Sequence, residues 1–195
     1  MHRMVVVKEG DVDVNKYRFE NFYLNMNNKQ AFFAAREIAE HPGESGNPLY
    51  IYGGSHTGKT HLLYSIEQYF NSNRPEMKVI HATCSQFINE CIEAIRLGSS
   101  RPQLIYDFRE KYCKADMILI DDIDFLKGKQ ATQAEFLNAF NSLYESDKQI
   151  VMTGKFSPRE LRKEDLDDSL VSRLEWGRVV EIPSDLLIPD AQDAG

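Results

Sequence analysis

Leu49-Tyr50-Ile51-Tyr52-Gly53-Gly54-Ser55-His56-Thr57-Gly58-Lys59-Thr60 is the stretch that decides the fold. Four apolar residues run straight into a glycine-rich loop of the form G-x-x-x-x-G-K-[ST], and a helical pattern opens at its end. The order strand, loop, helix is what the chemistry needs: successive backbone N–H groups converge on phosphate oxygens while the next helix offers its positive N-terminal end. Gly53, Gly54, Ser55, His56, Thr57 and Gly58 are therefore candidate phosphate-cradling residues. Lys59 is expected to bridge the β- and γ-phosphates, and Thr60 to place its hydroxyl on magnesium. His56 is read as a loop side chain pointing outward, because nothing in the sequence gives it a catalytic partner.

Outward from the loop, four more short apolar runs follow: Val79-Ile80, Met117–Ile120, Ile150–Met152 and Val179–Ile182. Runs so short suit strands covered on both faces. Helical spacing over 59–71, 85–97, 103–113 and 132–146 separates them, which predicts an α/β fold of the P-loop NTPase type, a five-stranded parallel sheet flanked by helices. A first helix runs from Asn28 through Phe32, Phe33, Ala35, Ile38 and Ala39 to Pro42-Gly43. Thr132-Gln133-Ala134-Glu135 reads as a capping box opening the last long helix, and Ser157-Pro158-Arg159-Glu160 as the start of a short one. Residues 1–16 read as a leader, 17–183 as one domain and 184–195 as a frayed tail.

Met117-Ile118-Leu119-Ile120 leads directly into Asp121-Asp122. A magnesium ion touched by Thr60 also needs a nearby carboxylate, so Asp121 is assigned to the metal side. Asp122 is placed to orient the water that attacks the γ-phosphate. Asp124 is read as a solvated loop residue.

Composition sets bounds on the rest. A chain of 195 residues with 42% hydrophobic and 27% charged side chains is neither disordered nor fibrous. No apolar stretch approaches the roughly 20 residues that cross a bilayer, and the start has no secretory core, so a cytoplasmic protein without membrane partners is expected. Cys84, Cys91 and Cys113 fit no disulfide framework and are read as buried reduced thiols. A net charge of −7 gives no general attraction to a polyphosphate backbone, so nucleic-acid contact would need a local basic patch.

Several stretches carry a narrower pattern: Tyr17–Phe22 with Asn28, Asn47–Gly54, Gly58–Leu62, Leu119–Ile123, Gln133–Asn141 and Ser172-Arg173-Leu174-Glu175-Trp176-Gly177. Together they resemble the AAA+ ATPase domain of the bacterial DnaA replication-initiator family, over residues 17 to about 182. The resemblance implies ATP or ADP with Mg2+ as ligands and a weak ATPase activity. It implies that Phe19, Phe22 and Asn28 lie beside the adenine, that His61 extends the nucleotide-binding stretch, and that Thr153 is a polar sensor. It further implies that Arg173 reaches the ATP site of a neighbouring subunit, giving head-to-tail assembly when ATP is bound. Single-stranded DNA through Lys127 and Lys129, and a replicative helicase or other initiator proteins, are the implied partners.

The departures are specific. Lys155 stands where the family has an acid, Ser169 where it has a second arginine, and Ala131 where an arginine is often found. After Ile182 there is no room for a helical lid or a helix-turn-helix domain, so this chain alone is not expected to read an origin sequence. It is then either a fragment of an initiator or a short relative. A helicase loader, an initiator regulator, or a nucleotide-binding interaction module with little hydrolysis are the alternatives; the acceptor pocket and lid arginines of a small-molecule kinase are not found.

Overall fold

A computed structural model of the protein describes residues 16–44 and 46–184. The leader, apart from Lys16, and the tail, apart from Ser184, lie outside the described residues. In chain order the elements are α1 (Lys29–Glu40), β1 (Leu49–Gly53), α2 (Lys59–Asn73), β2 (Val79–Thr83), α3 (Cys84–Gly98), α4 (Pro102–Cys113), β3 (Met117–Asp121), α5 (Gln130–Glu145), β4 (Gln149–Gly154), α6 (Pro158–Leu161), α7 (Asp168–Leu174) and β5 (Arg178–Ile182). Short 3-10 turns at Phe19–Asn21 and Ile123–Leu126 complete them. The five strands form one sheet in the order β2-β3-β4-β1-β5, with every pair parallel.

Alternation along the strands divides the apolar residues between two helical layers. Leu49, Ile51, Met117, Leu119, Val151, Val180 and Ile182 pack under α1 and α2, against residues such as Ile38, Leu63 and Phe70. Tyr50, Ile118, Ile120, Ile150 and Met152 pack on the other face, against Phe87, Phe136, Phe140 and Val171 of α3, α5 and α7. The central strands β3 and β4 are buried throughout, which is why their sequence is a continuous apolar run. Edge strand β5 instead alternates, with Val180 and Ile182 inside and Val179 and Glu181 outside.

One helix start differs from expectation. Thr132 and Gln133 do not cap α5: the helix begins at Gln130, and both residues are buried inside it. Gln133 serves instead as a tether, donating from Nε2 to Leu126 O (2.8 Å) and Asp165 O (3.1 Å) and accepting the Asp167 N–H at 2.8 Å. The capping box at Ser157 and Glu160 is present as expected, and a second one joins Thr83 to Gln86 at the start of α3. Cys84 and Cys91 are buried thiols and Cys113 is half-buried, none of them bridged. Burial pushes the Cys84 thiol up to about 12, so it is inert. No helix among the described residues is long and apolar enough to cross a membrane.

Candidate functional site

The register of three neighbouring strands builds one end of the site. Tyr52 of β1 pairs with Gly154 of β4, and Ile120 of β3 pairs with Met152. Gly53, Asp121-Asp122 and Thr153-Gly154-Lys155 therefore emerge side by side at the C-terminal edge of the sheet, where ligands of open α/β folds bind. Thr60, in the first turn of α2, donates its hydroxyl to Asp121 Oδ2 at 2.6 Å. The Thr153 hydroxyl donates to Asp121 Oδ1, and accepts the Asp122 N–H at 3.1 Å. One buried carboxylate thus ties the phosphate loop to β4.

Lys59 is buried, and its ammonium donates to the carbonyls of Gly53 (2.9 Å) and Gly54 (2.7 Å), folded back over the loop. Burial lowers its pKa, while the charges of Asp122, Asp121 and Asp124 pull it back up and Lys155 lowers it further. An ammonium so desolvated has much to gain from an incoming anion. Gly58 has φ +98°, and a Cβ there would stand 2.9 Å from Phe22 Cε2, so both backbone and space demand glycine. Thr57 closes the loop by donating to Gly54 O at 3.0 Å, while Ser55 and His56 are exposed.

Asp122 sits in the left-handed region, φ 59° and ψ 57°. Burial first, and the neighbouring Asp121 charge second, raise its carboxyl above the ordinary range. Asp124 is not solvated as expected: its Oδ2 accepts the Lys155 N–H at 2.6 Å, and its Oδ1 is buried with no hydrogen-bond partner. The reason is non-local, since the 3-10 turn after β3 tucks the side chain beneath the end of β4.

On the other side of the loop, a cleft of about 200 Å³ is lined by Phe22, Asn28, His56, Thr57, Gly58 and His61. Phe22 stacks on Phe32 at 5.5 Å with the rings inclined by 29°, and His61 stands edge-on to Phe22 at 5.1 Å. Phe19 stands edge-on to Phe32 at 5.6 Å and is not a wall of this cleft. Asn28 is buried: its Oδ1 accepts the Asn25 N–H and its Nδ2 donates to Tyr23 O, each at 2.8 Å. Its amide shapes the turn that carries Phe22 to the cleft. Tyr23, Asn25, Asn27, Ile182 and Pro183 also line the space. The asparagine-rich run 25–28 marks that turn in the sequence, whereas Ile182 and Pro183 arrive only through the pairing of β5 with β1.

The remaining predicted residues lie apart. Arg173, on α7, donates from Nε to Asn141 Oδ1 at 3.1 Å and from Nη1 to Ser169 O at 3.3 Å, with its guanidinium 4.8 Å from the Trp176 ring centre. None of these contacts is with its own phosphate loop. Lys127 pairs with Glu164 at 3.1 Å and lies 3.8 Å from the centre of the Phe156 ring, and Lys129 donates to Phe125 O at 2.6 Å.

The comparisons with known proteins agree with this geometry. The sequence profile of the bacterial DnaA ATPase domain matches residues 14–181. The chromosomal replication initiator protein DnaA of Lachnoclostridium phytofermentans is 44% identical over 169 residues, which are 87% of this chain and 36% of that protein. The chain thus spans about a third of the curated relatives' length. Domain III of the Thermotoga maritima replication initiation protein DnaA superposes with TM-score 0.79 at 42% identity, covering 87% of this chain and 68% of that one. A replication initiator DnaA bound to AMPPCP and single-stranded DNA superposes with TM-score 0.80 at 37% identity, covering 87% and 50%. On profile, identity and fold alike, the chain belongs to the bacterial DnaA ATPase domain family.

Proposed function

We propose that residues 17–183 form the nucleotide-binding base of a DnaA-type replication initiator, working in the cytoplasm, that binds ATP or ADP with Mg2+ and hydrolyses ATP slowly. The observation that carries this reading is the hydrogen-bonded chain Thr60–Asp121–Thr153, which links the phosphate loop, the acidic strand end and the sensor position within one buried cluster. In the liganded state Lys59 exchanges its two loop carbonyls for the β- and γ-phosphates, and Asp122 orients the attacking water. The Thr60 hydroxyl and Asp121 carboxylate are the hard oxygen donors a magnesium ion prefers, and few protein ligands suit an ion that keeps several waters and phosphate oxygens. When bound, that ion neutralises charge developing on the phosphates. Phe22, Asn28 and His61 wall the space assigned to the adenine, with Phe19 supporting them through Phe32.

Arg173 is assigned to the site of a neighbouring subunit, in keeping with its contacts to Asn141, Ser169 and Trp176, all of them outside the phosphate loop. That makes assembly head to tail and turnover by the isolated subunit slow. Single-stranded DNA contact is assigned to the loop bearing Lys127 and Lys129, in keeping with the relative that holds AMPPCP and single-stranded DNA together. Helicase or other initiator proteins are the further partners of such a module.

Titration with fluorescent ATP and ADP in magnesium, with hydrolysis followed in the same samples, tests the reading. Saturable binding is expected, weakened at least about a hundredfold in Lys59→Ala, which removes the charge-assisted bonds to two phosphates. Binding that is equal in the variant, or absent from the wild type, overturns the assignment. Binding without turnover would instead make the chain a nucleotide-dependent interaction module.

A further inference from the structure

The two lysines assigned to single-stranded DNA differ in what already holds them. Both belong to the turn that joins the 3-10 segment Ile123–Leu126 to α5. Lys129 is exposed, and its ammonium donates to a neutral acceptor, Phe125 O, at 2.6 Å. Lys127 is half-buried and engaged by a carboxylate: it donates to Glu164 Oε2 at 3.1 Å, with the centre of the Phe156 ring 3.8 Å away. Phe156 is fixed in turn, because its carbonyl accepts the Tyr50 hydroxyl at 2.6 Å.

Glu164 opens an acidic segment, with Asp165, Asp167 and Asp168, that runs from the end of α6 into the first turn of α7. Main-chain bonds set its place beside the turn. The Gly128 N–H donates to Asp165 O at 3.1 Å, while Gln133 donates to the same carbonyl at 3.1 Å and accepts the Asp167 N–H at 2.8 Å. An exposed ion pair loses most of its worth to solvent and to the ordering of two long side chains. Here both backbones are held and the Lys127 side chain is only 23% exposed, so less is lost. A phosphate approaching Lys127 must displace a carboxylate, and the other acids of the segment repel it as it comes.

We propose that Glu164 is a built-in competitor of the nucleic-acid backbone: it occupies Lys127, so that one subunit grips a single strand through Lys129 alone until Glu164 is displaced. The inference rests on the single-stranded DNA reading above and adds its regulation. Weak grip by each copy means that a strand is held firmly only where several copies contribute to it together.

The test measures binding of a fluorescently labelled oligothymidylate to the full chain, with magnesium and a non-hydrolysable ATP analogue, over a series of salt concentrations. Glu164→Gln is expected to tighten binding about fivefold at low salt. Its plot of log affinity against log salt is expected to steepen by about 0.7, the mark of one further phosphate contact on a single strand. Lys127→Ala alone is expected to weaken binding by no more than about twofold, and in the Glu164→Gln background to abolish the whole gain. Asp168→Asn removes the same charge from the exposed start of α7 and is expected to stay within about twofold of wild type. Unfolding midpoints of the variants confirm that each is folded. A gain that persists without Lys127, or that Asp168→Asn matches, overturns the proposal and leaves only a general repulsive field. Unchanged affinity in Glu164→Gln, with binding still lost in Lys129→Ala, overturns it while leaving the DNA reading intact. If neither wild type nor Glu164→Gln binds the oligonucleotide, the DNA reading falls and this inference with it.

Discussion

The two ends of the same parallel sheet treat polar groups in opposite ways. At the N-terminal end, where β1 and β4 begin, Gln149 is buried, yet its Oε1 accepts the Gly43 N–H at 2.9 Å and its Nε2 donates to Ile150 O at 3.1 Å. Asn47 accepts the Ile150 N–H at 3.0 Å and donates to Lys148 O at 2.8 Å, and Asp116 pairs with Lys148 at 2.9 Å. At the C-terminal end, Asp124 has a buried oxygen without a donor, Asp122 has a raised pKa, and Lys59 has a lowered one. Polar groups that satisfy one another hold a fold together, whereas groups left under tension mark where a ligand completes the set.

If that division holds, damage at the N-terminal end lowers stability and leaves nucleotide affinity alone. The largest effect is expected at Gly177, just before β5. A Cβ there would lie 2.1 Å from Pro48 O and 2.5 Å from Asn47 C, so the backbones themselves must separate. Gly177→Ala is expected to cost about 3 kcal/mol, a fall of roughly 10 °C in the unfolding midpoint by calorimetry. A midpoint within about 2 °C of wild type would show that the close approach is not maintained in solution. The next largest belongs to Gln149→Ala, which leaves the Gly43 N–H without its side-chain acceptor and opens a small cavity beside Asn47. About 2 kcal/mol is expected, read from the urea midpoint, with the dissociation constant for ATP unchanged. A Gln149→Ala variant that keeps its stability but loses ATP affinity would break the division outright.

How far the sequence led depends on how local each feature is. The five strands and the phosphate loop were legible because continuous apolar runs and a fixed loop spacing are properties of neighbouring residues. The start of α5 was misplaced because Thr132 and Gln133 carry a capping pattern but face inward, and Gln133 answers to the backbone of residues 126, 165 and 167. The capping box of Thr83 and Gln86 is equally local, but in the sequence the stronger apolar period of α3 masks it. Asp124 could not be placed from its surroundings in the chain, since its partner is the amide of Lys155, 31 residues on and just after β4. The roles of Phe19 and Asn28 needed the structure for the same reason: one aromatic ring stands a layer behind the other, and the amide is engaged in a turn. Motif spacing shows which residues meet a ligand more readily than which residues hold those in position.

The smallest expected effect separates the two ends most cleanly, because its sign reverses. Asp122→Asn preserves shape and tolerates the left-handed backbone as well as aspartate does. It also retains the main-chain N–H that donates to Thr153 Oγ1 at 3.1 Å. What it removes is a charge disfavoured by burial first and by Asp121 second, only partly offset by Lys59. A carboxyl whose folded pKa lies above its unfolded one favours the folded state fully below the ordinary aspartate range, and that contribution is lost as pH rises through the raised value. The wild type therefore loses stability over that interval and the asparagine variant does not, so at neutral pH the variant is the more stable. Solvent screens the half-exposed carboxylate, which keeps the gain to roughly 1–2 °C in the unfolding midpoint. The difference should close as pH falls below the aspartate range, while ATP turnover drops and nucleotide binding persists. A variant that is less stable than wild type at neutral pH, or a difference independent of pH, would mean that Asp122 serves the fold rather than the site. The tension at this end of the sheet would then have no connection to a ligand.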